Sequence, residues 1–241
     1  MFTDFGLEGP YMGQMQAVLC REASDVPVIT LFADAPSFNI CASAYLLAAY
    51  ANEFPADTVF LCVVDPGVGS SRRPVMVQAD GRWYIGPDNG LFEIVRRRSL
   101  ISETYEITWQ PEGMSASFHG RDLFAPVAAM LATGKKPDSR LVEPDVGYAD
   151  WPDDLAEIIY IDHFGNAMTG LRGEALTCDT VLEVSGRKLL YSRTFSDAGQ
   201  GECFWYENAN GLIEIAANQS SAAEMLHLSV GTALRGASES I

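Results

Sequence analysis

The run Thr58-Val59-Phe60-Leu61-Cys62-Val63-Val64 constrains this chain more than any other segment. It is apolar and β-branched, without the inside–outside alternation of a strand that faces water on one side. That pattern suits a strand buried on both faces. The segments around it offer the cover. Tyr11 to Glu22 places Met12, Met15, Val18 and Leu19 at helical spacing, Phe38 to Phe54 is a helix candidate rich in Ala and Leu, and Arg121 to Thr133 is an amphipathic helix closed by Gly134. Val28 to Phe32 reads as a second compact strand. Pro74 to Ala79 and Arg82 to Ile85 flank Asp80-Gly81, a hairpin turn signal. Strands alternating with helices predict an α/β N-terminal domain over residues 1–136 with a mostly parallel sheet.

Beyond Lys135 the texture changes. Pro137, Pro144 and Pro152 sit among Asp, Glu and Gly, which reads as a linker over 137–154. Helical periodicity then fades. Glu157–Ile161, Val181–Val184, Lys188–Tyr191 and Leu212–Ala216 read as short strands, with turn chemistry at Ser185-Gly186 and Asn210-Gly211. The expected C-terminal domain, 155–241, is small, all-β and barrel-like.

Composition narrows the partners. The 241 residues are 48% hydrophobic, enough for a packed core, and 32 acidic against 16 basic residues give a formal charge of −16. So acidic a chain lacks the basic surface that binds nucleic acid or anionic membranes. Cys20, Cys41, Cys62, Cys178 and Cys203 are scattered and form no C-x-x-C pair, which speaks against a disulfide scaffold or zinc ribbon. The N-terminal residues show no signal-peptide pattern, and the longest apolar stretch, Ile40 to Ala51, is too short to span a bilayer. A cytoplasmic location is expected.

Four polar, turn-rich segments each follow a strand or open a helix: Thr3-Asp4-Phe5-Gly6, Asp65 to Arg73, Gly86-Pro87-Asp88-Asn89-Gly90, and Ser117 to Asp122. Ligands of open α/β sheets sit at the carboxyl ends of the strands, so Asp4, Asp65, Arg72 and His119 are expected at one edge. Each feature also has a plain structural reading. Glycine-rich turns are common, and a histidine before a helix is often just a hydrogen-bonding residue there. No G-K-[ST] follows Asp65-Pro66-Gly67, so this is not a Walker loop. His163 and His227 lack partners at metal-ligand spacing, so no metal site is expected. Arg96-Arg97-Arg98 reads as the solvated end of a short helix. In the second half, Asp162 to Asn166 and Glu207 to Gly211 are loops with side-chain amides.

Taken together the segments resemble the S-adenosyl-L-methionine (SAM) hydroxide adenosyltransferases, or SAM hydrolases, of the superfamily that includes SAM-dependent chlorinase and fluorinase. T-D-F-G at 3–6, V-D-P-G-V-G-S-S-R-R at 64–73, P-D-N-G at 87–90, F-H-G-R-D-L-F-A-P-V-A-A at 118–129 and D-H-F-G-N at 162–166 carry the resemblance. It implies an α/β domain followed by a smaller β-barrel, a homotrimer, and a site between the N-terminal domain of one subunit and the C-terminal domain of its neighbour. It implies conversion of SAM and water to adenosine and methionine, with SAM as substrate and no further cofactor. The alternatives are a SAM-dependent halogenase and a non-catalytic SAM or adenosine binder.

The resemblance assigns catalysis to Asp65, Arg72 and His119, the trio of the hydroxide-using branch. An acidic side chain beside the reacting carbon would repel a halide and favours water as nucleophile. SAM's C5′ is activated because methionine leaves as a neutral thioether. The site must therefore add a positioned and polarised water. By the same resemblance Asp4 grips the ribose hydroxyls, Asn166 reads the adenine edge, Phe164 and Phe195 pack around adenine, Phe38 lines the pocket, and Asp162 faces the methionine ammonium. Asn208 and Asn218 fall in the C-terminal motifs around the methionine and adenine ends. For the aromatic residues ordinary core packing is the competing reading. The chain departs from the family at Gly9-Pro10, at Thr169-Gly170 and at Asn208-Ala209-Asn210-Gly211, where N-S-x-G is usual. These departures fall mostly on the methionine side.

Overall fold

The computed structural model describes residues 1–236. The apolar run becomes β2 (Val59–Val63), flanked in parallel by β1 (Phe2–Thr3) and β4 (Arg82–Pro87). Both of its faces are buried. Leu61 and Val63 join the core formed with Met12, Met15, Val18 and Leu19 of α1 (Tyr11–Glu22) and Val127, Ala128 and Ala129 of α4 (Ala125–Ala132). On the other face Phe60 stacks on Tyr84, 4.9 Å between centroids, and Phe54 meets Phe60 edge-on at 5.3 Å. Aromatic pairs of this kind add about 0.5–1.5 kcal/mol each beyond area burial.

The sheet of this first unit runs β1-β2-β4-β3-β5-β6, with β3 (Pro74–Ala79), β5 (Ser102–Ile107) and β6 (Ser139–Val142). The expectation of a mostly parallel sheet is corrected. β3 pairs antiparallel with β4 and β5, and β5 antiparallel with β6. After the Asp80-Gly81 hairpin β4 resumes the direction of β2, so β3 runs against both of its neighbours. The linker expected from residue 137 is also corrected at its start, because β6 extends this sheet. Val28 to Phe32 forms no strand; only Phe32 makes a bridge, to Phe2. The second helix, α2 (Ile40–Tyr50), begins later than expected because Phe38 has φ 60° and Asn39 caps the helix, its Oδ1 accepting from the Ala42 N–H. A short helix α3 (Glu93–Arg98) follows β4.

The first unit spans Met1–Asp150, and the second starts at Trp151. Among its described residues the second unit's regular elements are β-strands apart from α5 (Ala222–Leu226) and single helical turns. One antiparallel sheet orders β11 (Cys203–Glu207), β12 (Leu212–Ala217), β8 (Ala167–Arg172) and β7 (Leu155–Ile161). Another orders β10 (Arg187–Leu189), β9 (Leu182–Val184) and β13 (Arg235–Gly236). Ile158, Ala167, Leu182, Trp205, Ile213 and Ile215 fill its core. Among the described residues no helix is long and apolar enough to cross a membrane.

Candidate active site

Sheet register brings the motifs of the first unit together. Thr3 pairs with Val63, so Asp4 and Asp65 leave neighbouring strands at the same end. Asp88 leaves the end of β4 beside them. The turn before α4 is a wide π-type turn, Gly120–Phe124, with His119 at its start. Phe5 and Phe118, each next to a predicted site residue, meet edge-to-face at 6.0 Å, and Tyr11 closes on Phe118 at 5.3 Å. This aromatic contact draws Asp4 and His119 to one edge.

At that edge one guanidinium joins the predicted trio. Arg72 donates from Nε to Asp65 Oδ1 at 2.8 Å and from Nη2 to Asp65 Oδ2. The same Nη2 lies 3.2 Å from Nδ1 of His119. The side chains of Arg72 and Asp65 are 9% and 4% exposed, so their charges meet in a poorly solvated place where pairing matters more than in water. Arg72 also lies over the Phe124 ring, 5.3 Å from its centroid. Arginine has donors only, so His119 Nδ1 accepts, and a neutral ring then carries its hydrogen on Nε2. Burial, and secondarily Arg72, lower the His119 pKa, with Asp65 and Asp122 pulling the other way. Asp122 in turn accepts from the Ser115 N–H at 2.9 Å and from Arg121, which holds its carboxyl below the usual range.

Asp4 is half-buried, and burial raises its pKa; the Phe38 N–H donates to its Oδ2 at 3.2 Å, and Asp65 adds a smaller raising effect. Phe38 is 79% exposed in a left-handed conformation, which is not the packing of a core residue. A bulky side chain at positive φ is an unusual geometry that surrounding contacts must hold.

The other predicted residues lie on the second unit. Asp162, Phe164 and Asn166 form the tight turn between β7 and β8. Asp162 Oδ1 accepts from the N–H groups of Phe164 and Asn166, and its Oδ2 accepts from Asn166 Nδ2, each at 2.9 Å. Phe164 projects outward at 72% exposure. Gly165 has φ 82° and packs against Ser221, where a β-carbon would overlap the hydroxyl. Phe195 meets Phe204 and Tyr206 edge-on at 5.3 and 5.5 Å. Asn208 is turned inward: its Oδ1 accepts from Asn210 and Leu212 N–H groups, and its Nδ2 donates to Glu214. Asn218 donates to the Ala198 carbonyl at 2.7 Å. Three predicted polar residues, Asp162, Asn208 and Asn218, thus shape their own loops. One further residue escaped sequence reading. Glu214 is buried, with Tyr206 Oη donating to it at 2.6 Å and Asn208 at 2.8 Å. Its signal was available as a single charge inside the apolar run Leu212–Ala217, since a buried charge needs partners.

The family model for the SAM hydroxide adenosyltransferase N-terminal domain matches residues 1–140, and that for the C-terminal domain matches residues 156–235. The chain belongs to the SAM hydroxide adenosyltransferase family. A relative from Thermus thermophilus, named (R)-S-adenosyl-L-methionine hydrolase, is 37% identical over 97% of this chain and 96% of its own length. One of the same name from Salinispora arenicola is 34% identical over 97% of this chain and 95% of its own. A fluorinase from Actinopolyspora mzabensis is 26% identical over 97% and 94%. Among solved structures, a conserved protein from Thermotoga maritima superimposes with a TM-score of 0.87 at 28% identity, covering 98% of both chains. Family membership therefore spans both units, and the trio lies wholly within the first.

Proposed function

We propose that this chain cleaves SAM with water to give adenosine and methionine, the activity named for its hydrolase relatives. The observation that carries the reading is the single Arg72 guanidinium bound to both Asp65 and His119, residues far apart in sequence. Water oxygen bonds to C5′ as the C5′–S bond breaks, and the electron pair goes to sulfur, which leaves as methionine's neutral thioether. The positive charge of the sulfonium ends as a proton lost from the water. Asp65 is the acceptor that fits, because a carboxylate has about four lone-pair sites and Arg72 uses two of them, whereas Arg72 has none and His119 Nδ1 is engaged. His119 Nε2–H and the guanidinium orient the water. Since the leaving group departs neutral, neither a general acid nor a cofactor is required.

In this reading Asp4 accepts from the ribose hydroxyls, and Phe38, Phe164, Phe195 and Asn166 enclose the adenosine end. Asp162 and Glu214 supply negative charge for the methionine ammonium. Following the family resemblance, we place the complete site in a homotrimer, between the first unit of one subunit and the second unit of its neighbour; the division of these residues between the two units is compatible with that arrangement. A cytoplasmic location accords with five free thiols. A near-buried carboxylate at residue 65 opposes a halide, which disfavours halogenation.

Incubation with SAM in ¹⁸O-water, followed by mass spectrometry, tests the reaction. Adenosine labelled at its 5′-hydroxyl is the expected product. Unlabelled adenosine, a 5′-halo nucleoside formed with added chloride or fluoride, or intact SAM would overturn the reading.

A further inference from the structure

The P-D-N-G turn has no part in the reaction as described, yet Asp88 and Asn89 are among the buried polar residues of the chain. They touch the two ends of the loop that carries Asp65 and Arg72. At one end Asn89 Nδ2 donates to the carbonyl of Val64, the residue before Asp65, at 2.9 Å. At the other, Arg73, the residue after Arg72, donates to Asp88 Oδ2 from Nε at 3.0 Å and from Nη2 at 2.6 Å. The Asp88 N–H returns a bond to the Arg73 carbonyl at 2.9 Å. Asn89 is itself fixed, its Oδ1 accepting from the Leu91 N–H at 3.3 Å. Asp88 is backed by Arg96 at 3.9 Å, and Arg96 is paired with Glu93.

Between these anchors the loop is held by local turns and by the close approach of Gly69 to the Ala116 carbonyl. Residues 66–71 are exposed, and its internal bonds are short-range: Val68 N–H to the Asp65 carbonyl, Ser70 N–H to the Gly67 carbonyl and Arg72 N–H to Ser70 Oγ. The separation of its ends therefore helps to set whether the Arg72 guanidinium reaches Asp65 and His119 together. A misplacement of about 1 Å at a reacting group can cost about a hundredfold in rate.

We propose that Asp88 and Asn89 are positioning residues that clamp the two ends of loop 65–72 and so hold Arg72 on both Asp65 and His119. This rests on the hydrolase reading for its consequence in turnover but not for its geometry. The chain is compared with its Asp88→Asn, Asn89→Ala, Arg73→Lys and Arg73→Ala variants in three measurements: steady-state kinetics, SAM binding by calorimetry, and NMR titration of His119. The chain has only 3 histidines, and His119→Asn assigns the signal. Arg73→Lys sits at the more exposed end of the pair and keeps a cation for Asp88, so it guards against loss of fold.

The expected result is a fall in kcat of at least about tenfold for Asp88→Asn and Asn89→Ala with SAM affinity little changed, the pattern of an interaction felt in the transition state. Arg73→Lys retains more turnover than Arg73→Ala. As Arg72 leaves the ring, the His119 titration moves upward towards the ordinary histidine value in the variants. Unchanged kcat, or an unmoved His119 titration in folded Asp88→Asn, overturns the proposal. If the parent chain does not cleave SAM, the hydrolase reading fails while the His119 titration still decides the clamp.

Discussion

The α-carbon of Gly69 faces the carbonyl of Ala116 so closely that a β-carbon there would lie 2.9 Å from the oxygen, and Gly69 has φ 83°. Gly69 belongs to the loop of Asp65 and Arg72, and Ala116 precedes His119 by one short turn. The backbone contact thus sets how near the imidazole comes to the guanidinium. In Gly69→Ala the left-handed conformation costs about 1–2 kcal/mol, and the overlap pushes the two segments apart. A lowered melting temperature and a drop in kcat of about tenfold or more are expected, with SAM still bound. Full turnover in a folded Gly69→Ala variant would show that this approach is dispensable.

Asp65 gives the Arg72 cation its counter-charge in a place 9% exposed. Asp65→Ala leaves that cation buried and unpaired, which costs about 3–5 kcal/mol. It also removes the proposed proton acceptor, typically worth about a hundred- to ten-thousandfold in rate. Adenosine formation should be lost while SAM binding, measured by calorimetry on the folded variant, survives. Comparable turnover with and without the carboxylate would contradict its role.

His119 is held below the ordinary histidine pKa, first by burial and then by Arg72, against the opposing pull of Asp65 and Asp122. A proton on Nδ1 would face the guanidinium and remove the acceptor, so the neutral ring is the working form. Turnover should rise with pH along a limb whose midpoint lies below about 6.5. The same shift affects stability. Between the two pKa values the unfolded chain binds more protons, so this contribution is present above about pH 6.5 and is lost as pH falls through the folded value. The kcat/KM profile of the parent against His119→Asn checks this; a limb of the same midpoint in both would assign it to another group.

The edge that gathers Asp65, Arg72 and His119 was legible because these side chains stand on turns. Asp65 ends a strand whose lack of alternation marks a buried centre, and His119 opens a helix. The sheet was less legible. Ser102 to Ile107 carries Glu103 and Glu106, which bond Tyr105 and Arg140, and these charges hide its pairing with β3. Ala167 to Arg172 contains Thr169 and Gly170 and does not read as a strand, yet it is buried because the Thr169 hydroxyl donates to the Ile213 carbonyl at 2.8 Å. The roles of Asp162, Asn208 and Asn218 in their own loops depend on hydrogen bonds that no spacing reveals. Side-chain amides serve a turn or a ligand equally well, and only geometry separates the two.

Burial raises the pKa of Asp4, with Asp65 adding a smaller raising effect against the hydrogen bond from Phe38. In the proposed site the carboxylate form is the one that accepts both ribose hydroxyls. KM for SAM should therefore climb on the acid side, beginning above the ordinary aspartate value. Asp4→Asn removes charge-assisted hydrogen bonds worth about 1.5–3 kcal/mol, an increase in KM of roughly ten- to a hundredfold. kcat should change much less, because the trio is untouched. A variant whose kcat falls while KM stays constant would move Asp4 from binding into catalysis.

Tyr206 and Glu214 make a pH-dependent pair in the second unit. Burial raises the Glu214 pKa, the bonds from Asn208 and Tyr206 oppose it, and nearby Asp162 reinforces it. Because the folded value exceeds the unfolded one, the folded state binds more protons in between. This group's contribution to stability is therefore fully present below the unfolded value and is lost as pH rises through the folded one. Tyr206→Phe removes a donor from the buried carboxylate while keeping the ring that packs on Phe195. At neutral pH the unsatisfied oxygen should cost about 1–3 kcal/mol. In acid, where the carboxyl is protonated and needs one acceptor bond fewer, the difference should shrink. Urea denaturation of both chains at neutral and acid pH measures it. A penalty that stays constant across that range would mean the hydroxyl contributes through packing rather than through the charge on Glu214.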